Sequence, residues 1–327
     1  MIASLDHPLL DKLEAEIGKK TYKQVTSIAI YNHFEALYTR HFKGSKKKHL
    51  HNTRSVGKSF TSALVGMAIR DGYLSSVDQT LSEFYYLHSY EHYSDKKADV
   101  TIKSLMTMSS AFNGSDNDMD SPGNEEYMYP TKDWVKFALD LEMRDDRQIG
   151  EIWDYFTAGV IVLGDILDKA VPGGLARYAK SELFDPLQIS RYKWPTTPTG
   201  VPITAGGLQL TTEGLAKYGL LYLNHGRMYD QQILPKDWVT ETLTKHLSVP
   251  DRPEDYGYLF WNRSYQLDDG SSHDAWFAAG NGGSKILCFN DLGIVMIVTA
   301  TAYGQKYMHQ QVDEMIVNYL LPSLGVQ

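Results

Sequence analysis

Two short stretches near the start of the chain have the composition of β-strands. Residues 25–31 and 35–42 are rich in β-branched and aromatic residues, and the polar pair Asn32-His33 separates them. This pattern predicts a β-hairpin, which a helix over residues 5–18 precedes. The last quarter of the chain predicts further strands with Asp-Gly and Leu-Gly turn signals between them, at residues 258–262, 273–278, 284–290 and 294–300.

The middle of the chain has a helical pattern. Residues 113–126 interrupt it, because they are acidic and poor in apolar residues, and they predict a mobile loop. A last helix is predicted near the end of the chain. The predicted helices of the middle and the end cover residues 102–108, a segment from a cap at Thr131 to about Glu142, and residues 157–170, 208–224 and 307–320.

Strands at both ends with helices between them predict an α+β fold. We expect both termini to build one antiparallel sheet flanked by helices, with a mostly helical lobe inserted in the middle. The predicted sheet lobe comprises residues 1–75 and 250–327, and the predicted helical lobe comprises residues 76–249. The cleft between the two lobes is the expected position of an active site.

The charge and the cysteine content exclude several classes of function. The chain of 327 residues carries 40 acidic and 32 basic residues, and its net charge of −8 argues against nucleic acid as a partner. Cys288 is the only cysteine, so an intramolecular disulfide and a zinc site built on thiolates are excluded. Its apolar neighbours predict a buried strand position.

The first residues do not have the pattern of a secretory signal. Asp6, Asp11 and Lys12 interrupt the apolar residues there, which favours a cytoplasmic protein, or a periplasmic or secreted one if a leader has been removed. The longest apolar run, residues 294–300, is too short to cross a bilayer. We therefore expect no membrane span. The sequence pattern does not indicate which oligomeric state the protein has.

Ser55-Val56-Gly57-Lys58 is the strongest candidate for chemistry. Residues three apart share one face of a helix, and the apolar run that follows predicts a buried helix that ends at Asp71-Gly72. A serine hydroxyl becomes a nucleophile when a base takes its proton, and a lysine held neutral in a dry site can be that base. The free N–H groups at the start of the helix could hold an oxyanion.

Other interpretations of the segment from Ser55 to Ser59 remain open. Ser55 could simply cap a helix on which Lys58 is solvated. A phosphate-binding loop ending at Gly57-Lys58-Ser59 would need a glycine at position 52, which is Asn. A metal site is not expected, since His49-x-His51 is followed by Thr53 where a metallo-hydrolase motif would have Asp.

Two further elements could complete a site around Ser55. Tyr155 precedes the apolar helix at 157–170 and could share proton transfer with Lys58, although most of the 22 tyrosines must fill core space. The glycine-rich segment from Gly280 to Ser284 opens a predicted strand, where backbone can approach a ligand closely. Its Ser284 N–H could join that of Ser55 in an oxyanion hole, or the segment could be a plain turn.

In this order and spacing, the motifs resemble the serine β-lactamase and penicillin-binding-protein superfamily. The pattern is most similar to the branch of class C β-lactamase-type esterases and 6-aminohexanoate-dimer hydrolases. The resemblance covers about residues 25–320, and it rests on Ser-x-x-Lys at 55–58 and Tyr-x-Thr at 155–157. It also rests on the glycine-rich 281–283 and on the similar stretches at 55–66, 205–208, 219–227, 233–235 and Trp238.

The resemblance implies a role for each matching residue. Ser55 would be the acylated nucleophile, Lys58 its proton acceptor, and Tyr155 the partner in acylation and deacylation. The backbone N–H groups of Ser55 and Ser284 would form the oxyanion hole. The positions implied in substrate binding are Thr157, Asn281, Gly282 and Gly283.

Two of these positions depart from the family pattern. Thr157 lacks the carboxamide of the usual Tyr-x-Asn, which puts the usual grip on a substrate amide in doubt. Asn281 is neutral where lactamases carry a lysine, so an uncharged ester or amide is favoured unless Lys285 or Arg263 supplies a charge from nearby.

The sequence therefore predicts a serine hydrolase that cleaves a small ester or amide through an acyl-enzyme, without metal or cofactor. One alternative is a β-lactamase or a D-alanyl-peptide hydrolase, and nitrocefin hydrolysis measured against short-chain ester hydrolysis separates it from the first. The other alternative is a binding module that keeps the fold without catalysis.

Overall fold

A computed structural model describes residues 5–33 and 35–325. Its centre is one large antiparallel sheet with helices on both faces. The strands are β1 Val25–Asn32, β2 Glu35–His41, β3 His51–Asn52, β4 Tyr192–Lys193, β5 Gln209–Leu210, β6 Arg227–Met228, β7 Gln231–Gln232, β8 Leu247–Ser248, β9 Asp255–Tyr256, β10 Trp261–Gln266, β11 Ser272–Gly280, β12 Ser284–Phe289 and β13 Ile294–Ala300.

The helices are concentrated between β3 and β8. The α-helices are α1 Pro8–Gly18, α2 Gly57–Arg70, α3 Leu81–Phe84, α4 Asp95–Ala98, α5 Ile102–Met106, α6 Glu125–Met128, α7 Trp134–Asp140, α8 Thr157–Ala170, α9 Leu175–Ala179, α10 Thr212–Leu223, α11 Lys236–Thr242 and α12 Gln310–Met315. Segments Lys180–Phe184 and Ile316–Leu320 are π-helical turns, and Arg54–Val56, Leu87–Ser89 and Pro322–Leu324 are 3₁₀ turns.

The two ends of the chain meet in the large sheet. Its strand order is β2-β1-β13-β12-β11-β10-β9-β8, so β1 lies between its hairpin partner and a strand from the other end of the chain. Ile28 of β1 pairs with Val298 of β13. All seven residues of β13 are buried, which explains why Thr299 is the one polar residue in its otherwise apolar sequence. The predicted α+β fold with one antiparallel sheet from both termini is confirmed.

The sheet has an apolar core on each face. Leu287 and Met296 face α1 and the last helical segment, whereas Ile286 and Val295 face α10. Helix α2 is buried over residues 57–68, because it packs against α8 and also contacts α10 and α11. Cys288 is buried in β12, and burial raises the pKa of its thiol to about 12.

Several predicted boundaries are wrong for local reasons. The strand predicted at residue 258 begins at Trp261, since Leu259 has left-handed backbone with φ +61°. The helix predicted from Thr131 begins at Trp134, where the Asp133 side chain caps it. The helix predicted from residue 208 is preceded by β5 and capped by Thr211.

Two further segments differ from their predictions in form. The last helix begins only at Gln310, and it ends in a π-helical turn. The loop predicted at residues 113–126 is a series of hydrogen-bonded turns. Within it, the Asn124 side chain donates to Asp118 O at 3.0 Å, and Ser115 N donates to Ser121 Oγ at 2.9 Å.

Helix α10 contacts β1, β12 and β13 directly, although it belongs to the lobe predicted as mostly helical. The division of the chain into two lobes stays a prediction. Within residues 5–33 and 35–325, no helix combines the length and the apolar character that a membrane span requires.

The contact between α10 and the sheet depends on the absence of a side chain at Gly219. A Cβ there would lie 2.6 Å from Val295 Cγ1 and 2.9 Å from Ile286 Cγ2. We expect Gly219→Ala to lower the free energy of unfolding by about 1–3 kcal/mol through overpacking, measured by urea denaturation. The control is Gly18→Ala in α1, where a Cβ would meet no atom within 4 Å. Equal stability of the two variants would contradict this packing.

Candidate active site

Ser55 lies at the point where the chain enters the buried helix α2. The 3₁₀ turn Arg54–Val56 carries it, and Lys58 follows in the first turn of the helix. Lys58 Nζ donates to Ser55 Oγ at 3.1 Å and to Ala205 O at 2.7 Å. The lysine is only 2% exposed, and it forms an ion pair with no carboxylate of the described residues. The predicted pair of side chains therefore meets.

Tyr155 lies beside the same pair, and Lys58 Nζ lies over the face of its ring. Lys58 Nζ is 4.9 Å from the centre of the Tyr155 ring, and that ring stacks on Trp261 at 5.9 Å. Ser55 and Tyr155 line one pocket. Within the described part of the chain, the Tyr155 hydroxyl has no hydrogen-bond partner, so the phenol is available to a bound molecule.

The end of β11 approaches the Ser55 turn with backbone alone. A Cβ at Gly280 would lie 1.9 Å from Thr53 O and 3.0 Å from Ser55 N. No other residue type fits at this position without moving one of the two turns. Because of this contact, Asn281, the next residue, lies at the rim of the pocket beside Ser55.

The structure does not bring all the predicted binding residues to the pocket. Gly282 packs against the Tyr303 ring, and Gly283 packs against Met308 O. Ser284 Oγ exchanges hydrogen bonds with Ala300 of β13, accepting from N at 3.1 Å and donating to O at 3.3 Å. Thr157 is buried at the start of α8.

Of the five positions predicted beside Ser55, Lys58 and Tyr155, only Asn281 is part of the pocket lining. The glycine that approaches the Ser55 turn is Gly280, one position before the triplet singled out in the sequence. The glycine-rich run alone does not reveal which glycine makes the close contact.

The pocket has a volume of about 300 Å³ and a mixed charge. Tyr155, Trp261, Phe277 and Met308 form its apolar part. Its charged and polar lining includes Asp116, Asn117, Glu125, Arg252, Glu254, Asn281, Lys285, His309 and Asp313. A small organic molecule of intermediate polarity fits this volume and this lining.

The two cations of the lining are already paired. Arg252 Nε lies 3.1 Å from Glu254 Oε2, and Lys285 Nζ forms an ion pair with Asp313. Burial lowers the pKa of the Lys285 ammonium, and burial together with the Lys285 charge lowers the pKa of His309 to about 4. His309 is therefore neutral at pH 7.

Asp116 was not recognised as a site residue in the sequence. Its Oδ2 accepts from Thr157 N at 2.7 Å, its Oδ1 accepts from Glu125 N at 2.8 Å, and its own N–H donates to Tyr155 O at 2.7 Å. Burial, followed by the charge of Glu125, raises the pKa of its carboxyl to about 6. The only indication in the sequence is that residues 113–126 are acidic. This composition does not show which carboxylate faces the pocket.

A family comparison agrees with this geometry. The family model described as "Beta-lactamase" matches residues 10–314. The chain belongs to the beta-lactamase family. The sequence matches none of the curated proteins with which it was compared.

Solved structures share the fold at low sequence identity. The octameric penicillin-binding protein homologue from Pyrococcus abyssi is 21% identical with a TM-score of 0.75, covering 97% of this chain and 77% of that chain. A D-stereospecific amidohydrolase from Streptomyces sp. is 16% identical with a TM-score of 0.70, covering 95% and 98%. A Bacillus anthracis protein provisionally assigned as a 6-aminohexanoate-dimer hydrolase is 15% identical with a TM-score of 0.76, covering 99% and 86%.

A closed ring of hydrogen bonds anchors the segment before Ser55 in this member of the family. Starting from His51 Nδ1, the ring passes through the hydroxyls of Thr26, Thr299, Ser27 and Thr212 and returns to His51 Nε2. The five successive distances are 3.2, 2.7, 2.6, 2.7 and 3.3 Å. It ties β3 to the large sheet and to α10 at His51, three residues before the 3₁₀ turn begins at Arg54.

The ring requires a neutral imidazole. Four hydroxyl protons and one imidazole N–H supply one proton for each of the five contacts, and a second N–H on His51 would leave one buried hydroxyl proton with no acceptor in the ring. Burial also lowers the pKa of His51 to about 4. Across residues 5–33 and 35–325, no three His, Cys, Asp or Glu side chains group as metal ligands.

Protonation of His51 should cost stability in acid. Its pKa is lower in the folded chain than in the unfolded chain, so the unfolded state binds more protons between pH 6.5 and 4. We expect this residue alone to remove up to about 3 kcal/mol of unfolding free energy as the pH falls through that window.

Urea denaturation across this pH range measures the unfolding free energy of the wild type and of His51→Gln. The contributions of other titrating groups cancel in the difference between the two proteins. The variant should be less stable at pH 7.5 and should lose less further stability in acid. The control His88→Gln, at an exposed position, should follow the wild type. Parallel pH curves for wild type and His51→Gln would contradict the neutral ring.

Proposed function

We propose that this protein is a serine acyl hydrolase that cleaves a small ester or amide through an acyl-enzyme on Ser55. The observation that carries the proposal is the 3.1 Å contact between Lys58 Nζ and Ser55 Oγ in a buried setting without a carboxylate partner. The contact places the Lys58 amine where it can accept the proton of the Ser55 hydroxyl.

The reaction has two steps with the same groups. Ser55 Oγ attacks the substrate carbonyl carbon while its proton moves to the Lys58 amine, which acts as the base. The tetrahedral intermediate then collapses, and the leaving alcohol or amine takes a proton from the Lys58–Tyr155 pair. In the second step, Tyr155 and Lys58 take a proton from water as it attacks the acyl carbon, and Ser55 leaves with its hydroxyl restored.

We assign the oxyanion hole to the backbone N–H groups of Ser55 and Asn281. Asn281 follows the glycine that touches the Ser55 turn, and both residues line the pocket. Ser284, the donor predicted from the sequence, starts the neighbouring strand β12, and its side chain is engaged with Ala300 of β13. Two such donors stabilise the developing negative charge by several kcal/mol in total.

The charges of the pocket favour an uncharged substrate. Lys285, which the sequence indicates as a possible source of positive charge, and Arg252 both line the pocket. Each forms an ion pair with a carboxylate of the pocket wall. Asp116 and Glu125 form no ion pair with a Lys or Arg among the described residues, and the Lys58 charge only partly offsets the effect of burial, which raises the pKa of Asp116. An added carboxylate on the substrate would meet these two acids, which disfavours a β-lactam or a peptide with a free carboxyl end.

The two alternatives differ from this proposal in testable ways. A β-lactamase or D-alanyl-peptide hydrolase would use the same nucleophile on a carboxylate-bearing substrate. A binding module would keep the pocket without turnover. The buried Lys58–Ser55 contact favours catalysis, because binding alone does not require an amine beside a hydroxyl.

Removal of the Ser55 hydroxyl should end catalysis without unfolding the protein. We expect Ser55→Ala to reduce p-nitrophenyl acetate hydrolysis by at least about 10³-fold, and to prevent covalent labelling by a fluorophosphonate, with an unchanged melting temperature. Ser59→Ala in the adjoining first turn of α2 is the matched control, because the Ser59 hydroxyl is also buried and its Oγ donates to Val56 O at 2.8 Å. Wild-type turnover in Ser55→Ala would exclude Ser55 as the nucleophile.

A crystal structure of the Ser55 phosphonate adduct tests the oxyanion hole. The phosphoryl oxygen stands in for the oxyanion, and we expect it about 2.7–3.1 Å from both Ser55 N and Asn281 N. An oxygen that contacts Ser284 N instead would restore the donor predicted from the sequence.

A further inference from the structure

The two proposed oxyanion donors belong to different turns of the chain. Ser55 lies in the turn before α2, and Asn281 lies in the turn between β11 and β12. An oxyanion hole works only if its donors are held at a fixed separation before the charge develops. Besides the contact of Gly280 with Thr53 O, further contacts must therefore hold the two turns at a fixed separation.

The residues that follow β13 touch the Asn281 turn. Ala302 N donates to Gly282 O at 3.1 Å, and Gly304 N donates to Asn281 Oδ1 at 2.8 Å. The Tyr303 ring lies directly under Gly282, where a Cβ would be 2.7 Å from Tyr303 Cδ1. These three contacts fix both the path of the turn and the side chain of Asn281.

The same segment touches the Ser55 turn. The Tyr303 hydroxyl donates to Asn52 O at 2.9 Å, and the Arg54 guanidinium lies over the Tyr303 ring at 4.7 Å. Arg54 has left-handed backbone with φ +53°, a conformation that a non-glycine residue keeps only when its neighbours hold it. Asn52 Oδ1 also accepts from Arg54 N at 3.1 Å.

We infer that Tyr303 is a positioning residue that sets the separation between the two oxyanion donors. Its ring supports the Asn281 turn from below, and its hydroxyl and ring hold Asn52 and Arg54, two of the three residues that lead from β3 into Ser55. In the described part of the chain it is not among the residues that line the pocket, so it acts through the backbone and not on the substrate. The inference rests on the proposed function.

Tyr303→Phe tests the inference, because it removes the hydroxyl that reaches Asn52 O and keeps the ring. We expect kcat for p-nitrophenyl acetate to fall about tenfold, with KM changed by less than about twofold. The inhibition constant of phenylboronic acid, whose adduct with Ser55 is tetrahedral like the transition state, should rise by about the factor by which kcat/KM falls.

Tyr127→Phe is the matched control. The Tyr127 hydroxyl also donates to a backbone carbonyl, Met119 O at 3.0 Å, but away from both turns. Its removal should leave kcat and the boronic acid affinity at the wild-type values. A purely structural effect of losing a phenol would instead lower the melting temperature of both variants without the split between kcat and KM.

The outcomes separate this inference from the proposed function. If the wild type neither hydrolyses esters nor is labelled at Ser55, the proposed function fails. If the wild type is active and Tyr303→Phe retains its kcat and its boronic acid affinity, the inference about Tyr303 is overturned.

A second variant keeps the test valid if Tyr303→Phe does not fold. Arg54→Gln removes the guanidinium over the Tyr303 ring at an exposed position and leaves the Tyr303 hydroxyl in place. It should lower kcat in the same direction with little change in KM. A folded Arg54→Gln with wild-type kcat would also overturn the inference.

Discussion

The turn that carries Ser55 lies directly against the last residue of β11, and no side chain fits between them. The atoms in contact are backbone atoms, and a Cβ at Gly280 would overlap Thr53 O. Through this contact the rigid sheet locates the start of α2, and the buried length of α2 in turn locates Lys58. The site residues outside α2 thus lie in short segments that are anchored directly to regular elements, which favours a fixed geometry for the reacting atoms.

Much of the fold could be predicted because its pattern is local. The apolar run of α8 has helical length, and helix 157–170 begins and ends where the sequence indicates. The run of β13 is short and β-branched, which indicates a buried strand. Boundaries failed where a single backbone conformation decided them, as at Leu259, since no pattern of apolar residues reports a left-handed φ.

The residues of the candidate site also divide into those that local spacing predicts and those that only the fold brings together. Ser55 lies in the 3₁₀ turn that leads directly into the first turn of α2, where Lys58 lies, so their contact follows from a spacing of three residues along a helical path. Asp116 and Tyr303 come from distant parts of the chain, and only the folded path brings them near Tyr155 and Arg54. The glycine run at 280–283 showed that backbone approaches something, but its register against Ser55 depends on how β11 ends.

The pairing of β1 with β13 also constrains the order in which this chain can fold. Ile28 must find Val298, so the nascent hairpin of β1 and β2 leaves the ribosome long before its inner neighbour has been synthesised. Until then, the β1 edge that will pair with β13 has unpaired backbone groups. Completion of the sheet is therefore a late step with a large loop-closure cost, and folding is expected to be slow relative to that of helical domains of similar size.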